Sequence, residues 1–304
     1  MCWRERLLPL ALLLWAGLAE VAAGELACAP LERAAPVERA GIVHGQGLLW
    51  RVSGAAAGDS YVLGTMHVAE PRVMHMREVA APQFDAARVF ALEVVLDAPA
   101  MHKLGVAMFY GDGRQLSEVV GAPLFASVAR HLGDYGVPPT LAQTMKPWAA
   151  FTTLSMPAGG GAQPLDLELM AAAQGAGKQV VGLESVDEQL AVFENVPEAD
   201  QVDMLREVTC HYETFQRELD EMVEAYVARD LVALVEQAER YDSPGKQAFM
   251  DKLLYERNAR MAERMAPLLA AGHAFIAVGA LHLPGPRGVL QLLERQGYRV
   301  EALY

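Results

Sequence analysis

The sequence predicts an α/β fold: one mixed β-sheet flanked by helices. Short apolar runs of strand length recur along the chain, and stretches of helical length separate them. Apolar residues make up 53% of 304 residues and are spread throughout, enough for a substantial core. Two strand-like runs near opposite ends of the chain finish alike, in Gly-x-x-His segments around His67 and His282. Such a pattern suits neither a helical bundle nor a β-sandwich.

Residues 1–23 read as a signal peptide. A charged head, Trp3-Arg4-Glu5-Arg6, precedes the apolar stretch 7–19, and Val21-Ala22-Ala23 suits cleavage after Ala23. The apolar run is shorter than the roughly 20 residues of a spanning helix, although an uncleaved anchor is the other reading. Export to the periplasm or outside the cell is therefore expected. Residues 24–46 are read as a flexible mature N-terminus, and the domain proper is expected over 47–304.

Within that domain, 48–52 and 61–64 are strand candidates joined by a Gly- and Ala-rich hairpin loop. Residues 89–95 form a further compact apolar strand. The region 98–160 is expected to be mostly helical, interrupted at Pro138-Pro139 and Pro147. Gly159-Gly160-Gly161 marks a turn, 165–173 a helix and 179–184 a strand running into a loop. Two helical stretches follow, over 200–240 with a break near Asp230, and over 245–270. In the second, Phe249, Leu253, Leu254, Met261, Met265, Leu268 and Leu269 make a broad apolar face. Residues 275–279 are the last strong strand, 288–296 a short helix and 298–303 an edge strand.

Acidic residues outnumber basic ones 38 to 25, a net charge of −13. The signal peptide carries two charges of each sign, so its removal leaves that balance unchanged. This argues against general binding to nucleic acid or anionic membrane. With no second long apolar span, no stable transmembrane partner is implied. Cys28 and Cys210 remain after cleavage; export permits them to pair, and two separate thiols are the alternative. There is no CxxC, P-loop, HExxH helix, dinucleotide fingerprint or Gly-x-Ser-x-Gly elbow.

The chemistry is expected at the two Gly-x-x-His segments. Glycine at a strand end permits a tight turn and close backbone approach, as at Gly64 and Gly279. The histidine that follows can project its imidazole from the sheet edge. His67 and His282 would bind a divalent metal if the fold brought them together. Glu93 interrupts an apolar strand, and a buried carboxylate needs a partner or a metal. Glu184 ends another apolar run. His67, His282 and one glutamate would supply three ligands and leave a position for water, while the second glutamate accepted a proton. Ordinary salt bridges or strand-end carboxylates are the competing reading. Asn258 falls one turn beyond Leu254, near the apolar face. Arg257 either clamps a carboxylate, orients Glu184 or steadies an oxyanion, or else is a surface residue. The remaining histidines read as surface, turn or structural residues.

Taken in order, Leu63-Gly64-Thr65-Met66-His67, Ala91-Leu92-Glu93, Gly182-Leu183-Glu184-Ser185, the Leu254-to-Asn258 helix and Val278-Gly279-Ala280-Leu281-His282-Leu283-Pro284-Gly285 resemble the TraB/GumN family, which includes the Tiki-type proteins. The resemblance covers 47–304. It implies an erythromycin-esterase/ChaN-like fold and metal-dependent hydrolysis of a polypeptide. Manganese or cobalt is the implied ion, with zinc a physical possibility. By the same resemblance His67, His282 and Glu93 take the metal positions and Glu93, Glu184 and Arg257 the catalytic ones, with Gly64, Gly279 and Asn258 as motif and pocket residues. A non-enzymatic protein that holds haem, a peptide or another small ligand is the alternative, and ester hydrolysis a third. The oligomeric state is open.

Overall fold

The computed structural model describes residues 26–54, 58–158, 163–243 and 245–304. The signal peptide read over 1–23 and the turn at 159–161 lie outside these residues. Strands form at Glu32–Arg33 (β1), Leu49–Ser53 (β2), Ser60–Thr65 (β3), Val89–Val94 (β4), Gln179–Glu184 (β5), Tyr241–Asp242 (β6), Ala274–Gly279 (β7) and Arg299–Ala302 (β8). Six of them make one sheet in the order β5-β4-β7-β3-β2-β8. The first four run parallel, and β2 and β8 each run antiparallel to the strand before them in that order. The chain is thus a mixed α/β protein.

Burial explains the composition of each strand. β7 lies between β4 and β3, and its Phe275, Ile276 and Ala277 are buried to 1% exposure or less. A parallel strand covered on both faces needs such a continuous apolar run. At the edge, β8 carries Arg299 and Glu301, and Glu301 pairs with Arg51 of β2 at 2.6 Å. Charged edges of this kind discourage pairing with another chain.

Helices Met76–Ala86 and Leu165–Gly175 pack together, as do Glu256–Ala271 and Val289–Arg295, and both groups cover the sheet. Met261, Met265 and Leu269, spaced by four, form the buried stripe of Glu256–Ala271. A second apolar cluster belongs to a helical lobe whose members include Ala122–Leu132, Pro147–Leu154 and Glu198–Cys210. The stretch expected to be helical over 200–240 divides at His211 and Asp230 into three helices. Asp230 causes the second break: its side chain accepts the Ala233 N–H at 2.9 Å and so caps a new helix. Among the described residues, no helix is long and apolar enough to cross a membrane.

The described part of the segment expected to be flexible over 24–46 is tied to the rest of the chain. β1 pairs with β6, Gln46 bridges to Asp230, and Arg39 pairs with Asp230 and Glu236. Cys28 and Cys210 form a disulfide, with their Cα atoms 5.6 Å apart. None of these ties has a local periodic signature, because each partner lies far along the chain. The bridge spans 182 residues of sequence, so it removes many conformations from the unfolded chain. Cys28→Ser and Cys210→Ser are each expected to cost about 2–4 kcal/mol, and the double variant no more than either. Chemical denaturation followed by circular dichroism checks this; a larger loss in the double variant would contradict it.

Candidate active site

The four parallel strands finish along one edge of the sheet, and there their apolar sequences give way to Thr65, Glu93, Glu184 and Gly279. This is the edge at which open α/β sheets bind ligands. The β3–β7 register sets Gly64 beside Val278 and Thr65 beside Gly279. The two Gly-x-x-His segments therefore lie next to one another, one residue out of step. His67 and His282 line a single cavity of about 490 Å³, together with Glu93, Asp166 and Arg257.

Both glycines serve close approach. A Cβ at Gly64 would lie 2.8 Å from Leu283 Cδ1 and 3.2 Å from Ala280 Cα. One at Gly279 would lie 3.3 Å from Glu93 Oε1 and 3.4 Å from His282 Cδ2. Neither glycine has a positive φ, so the tight turn expected at these positions is not what requires them.

Glu93 is 9% exposed. Its Oε1 accepts the Gly279 N–H at 2.6 Å, and its Oε2 accepts from Arg257 Nη2 at 2.5 Å. Burial by itself would raise the Glu93 carboxyl, but the charges of His282 and Arg257 outweigh it and hold the group at about 2. Of those two, Arg257 is the cation that persists at neutral pH, because burial depresses His282 to about 4. Arg257 also donates through Nε to Glu184 Oε2 at 2.8 Å. The other Glu184 oxygen accepts from Arg260 at 3.0 and 3.2 Å.

His282 is buried, and its Nδ1 lies 2.6 Å from Asn258 Oδ1. Asn258 Nδ2 donates to the Arg287 carbonyl at 2.9 Å, which fixes the amide's orientation. From this network the neutral ring is assigned its proton on Nδ1. Its Nε2 lone pair then faces Glu93 Oε1 across 3.6 Å. His67 sits at the mouth of the cavity with its side chain 53% exposed, and its Nδ1 is 3.1 Å from Asp166 Oδ2. Burial against the pocket wall disfavours the imidazolium, but the adjacent Asp166 carboxylate, helped by Glu93, raises it to about 9.

Of the residues singled out in the sequence, His67, Glu93, Arg257, Gly279 and His282 meet at the cavity wall. Gly64 and Asn258 stand behind it. Glu184 does not line it; its side chain has no exposure, and both oxygens are engaged by arginines. Its place is that of an anchor for Arg257, not of an accessible proton acceptor. Asp166 and Arg260 carry no sequence signal. Asp166 looks like any acid in a helix's first turn, where the dipole favours one. Among the described residues, no three His, Cys, Asp or Glu side chains are already arranged around a metal position. A second, mostly apolar cavity of about 320 Å³ lies among the later helices; it contains none of these strand-end residues and shares Met222 with the first.

A mixed sheet with a pocket at its parallel strand ends, where charged groups meet an apolar wall, defines the class of protein to which this chain conforms. The TraB/PrgY/gumN family profile matches residues 48–302, and the chain belongs to that family. It is also similar to the metalloprotease TIKI2 of Danio rerio, at 23% identity over 299 residues, covering 80% of this chain and 58% of that protein. The chain thus spans little more than half the length of that relative. No solved structure gives a significant match.

Removing the guanidinium would leave two buried carboxylates without their shared cation. Arg257→Met is expected to destabilise the fold by about 3–5 kcal/mol, and adding Glu93→Gln and Glu184→Gln to recover part of the loss. Urea unfolding midpoints test this, and an undiminished midpoint in the single variant would contradict it.

Proposed function

We propose that this protein is a metal-dependent peptidase acting in an exported or periplasmic setting. The observation that carries the reading is the His282 Nε2 lone pair, set by Asn258 and facing Glu93 Oε1 in the cavity that His67 also lines. Family membership and the similarity to a protein named a metalloprotease support it. His67, on giving up the proton that Asp166 stabilises, would join His282 and Glu93 in holding a divalent ion, manganese or cobalt by family likeness, with zinc also suited to imidazole and carboxylate donors. When bound, such an ion polarises a carbonyl and makes water a better nucleophile at neutral pH.

The protein's own groups have separable tasks in this reading. Arg257 keeps Glu93 ionised, which a ligand must be. Asn258 keeps the His282 proton on Nδ1, away from the cavity. Leu92, Leu96, Leu167, Phe193 and Leu253 give the cavity an apolar wall against which polypeptide side chains can pack. Residues 1–23, read as a signal peptide, and the disulfide support the exported setting. A relation to the erythromycin-esterase and ChaN-like folds belongs to the same reading and rests on family likeness.

The test uses metal-free mature protein, a diverse peptide library and separate additions of Mn²⁺, Co²⁺ and Zn²⁺. Metal-dependent cleavage is expected, and His67→Ala and His282→Ala should each reduce it by about 100-fold or more. Undiminished cleavage in both histidine variants would remove the proposed centre. Absence of cleavage, together with one-to-one haem uptake, would favour a binding protein instead.

A further inference from the structure

We infer that Asp166 is the positioning residue for His67, a role that rests on the metal-dependent reading of the cavity. Asp166 reaches the cavity from the first turn of helix Leu165–Gly175, an element separate in sequence from both Gly-x-x-His segments. Its side chain is 16% exposed, against 53% for His67, so the carboxylate grips the ring from the inner side. Asp166 Oδ2 engages His67 Nδ1 at 3.1 Å.

The comparison with His282 gives this contact its meaning. Each imidazole has a side-chain oxygen close to its Nδ1: His282 hydrogen-bonds with Asn258, and His67 lies at ion-pair distance from Asp166. In each case Nε2 is the nitrogen left over. An oxygen on Nδ1 fixes the tautomer and ring plane of a metal-binding histidine and raises its basicity. The difference between the two partners follows from burial. His282 is enclosed beside the charge of Glu93, and an amide orients it without adding a second buried anion there. His67 stands where water competes for its Nδ1, and a full negative charge makes the stronger acceptor.

The second oxygen of Asp166 distinguishes this residue from an ordinary surface ion-pair partner. Oδ1 is buried and has no hydrogen-bond donor. A carboxylate oxygen taken out of water without a partner is costly, so the cavity contents are the natural source of one. The neighbouring Tyr226 does not supply it, since its hydroxyl donates to the Gly64 carbonyl at 2.8 Å. The acids lining the cavity are Glu93 and Asp166, and both Glu93 oxygens are already engaged. Asp166 is therefore the lining carboxylate with an oxygen that no donor of the protein reaches, open to a proton-bearing ligand of the centre.

The experiment titrates Co²⁺ into metal-free full-length protein and follows visible absorption and heat of binding. Asp166→Asn keeps the side-chain shape and should weaken Co²⁺ binding by about 10- to 100-fold while altering the absorption band. Asp166→Glu keeps the charge and should recover part of that loss, which misfolding would not produce. Glu168→Gln, on the same helix and paired with Arg77 outside the cavity, should match wild type. Asp166→Asn binding Co²⁺ with wild-type affinity and spectrum would overturn the positioning role and leave the centre standing. Wild-type protein that binds neither Co²⁺ nor Mn²⁺ would overturn the centre itself, and the role of Asp166 with it.

Discussion

Glu93 and Glu184 leave the ends of neighbouring strands and are both buried, and Arg257 is the cation that makes their proximity tolerable. The register sets Val94 beside Glu184, so the two carboxylates arise at nearly the same level of the sheet. A single planar guanidinium spans them, with Arg260 satisfying the far side of Glu184. Such a cluster is a poor source of net stability, because desolvating the charges offsets much of their attraction. Its effect is geometric. It fixes the position and charge of Glu93, and the Gly279 N–H and the His282 ring are set around that carboxylate.

The helix carrying Arg257 is prepared for this by a π turn at Asp251–Tyr255, immediately before Glu256. One extra residue in a turn rotates everything downstream by about 100° around the helix axis. After it, Arg257, Asn258, Met261 and Met265 are all buried, so one face joins the polar pocket to the apolar core. The carbonyl of Leu253, within that turn, accepts from Arg257 Nη1 at 3.1 Å and steadies the guanidinium from its own chain. Strand ends and a shifted helix thus hold Glu93, Glu184, Arg257 and Asn258, while His67 lies in the loop after β3 and His282 in the 3₁₀ turn after β7.

The strands were legible because continuous apolar runs such as 89–92 and 274–278 are what a sheet covered on both faces demands. The echo around His67 and His282 had a physical basis in two adjacent parallel strands, but nothing in either segment says that β7 inserts beside β3. Glu93 could be recognised as a polar intruder among apolar residues, whereas Arg257, between Glu256 and Asn258, stood out only through the family resemblance. The role of Glu184 could not, since only the fold shows Arg257 and Arg260 closing over it. Asp166 was silent because its partner lies 99 residues earlier, 67 against 166. The N-terminal segment was equally silent, its ties being one two-residue strand pair, one bridge, the Arg39 ion pairs and one disulfide.

The place of β7 in the sheet also has a consequence in time. β3 and β4 flank it but do not pair with one another, so they wait for a strand made some 180 residues after β4, 94 against 274. A chain growing from its N-terminus carries His67 and Glu93 long before it carries His282. Contacts between such distant segments form late and slowly. The pocket therefore stays unassembled through most of synthesis, and a ribosome-bound or prematurely ended chain presents its groups apart from one another. Order of manufacture alone keeps the pocket silent until nearly the whole protein exists.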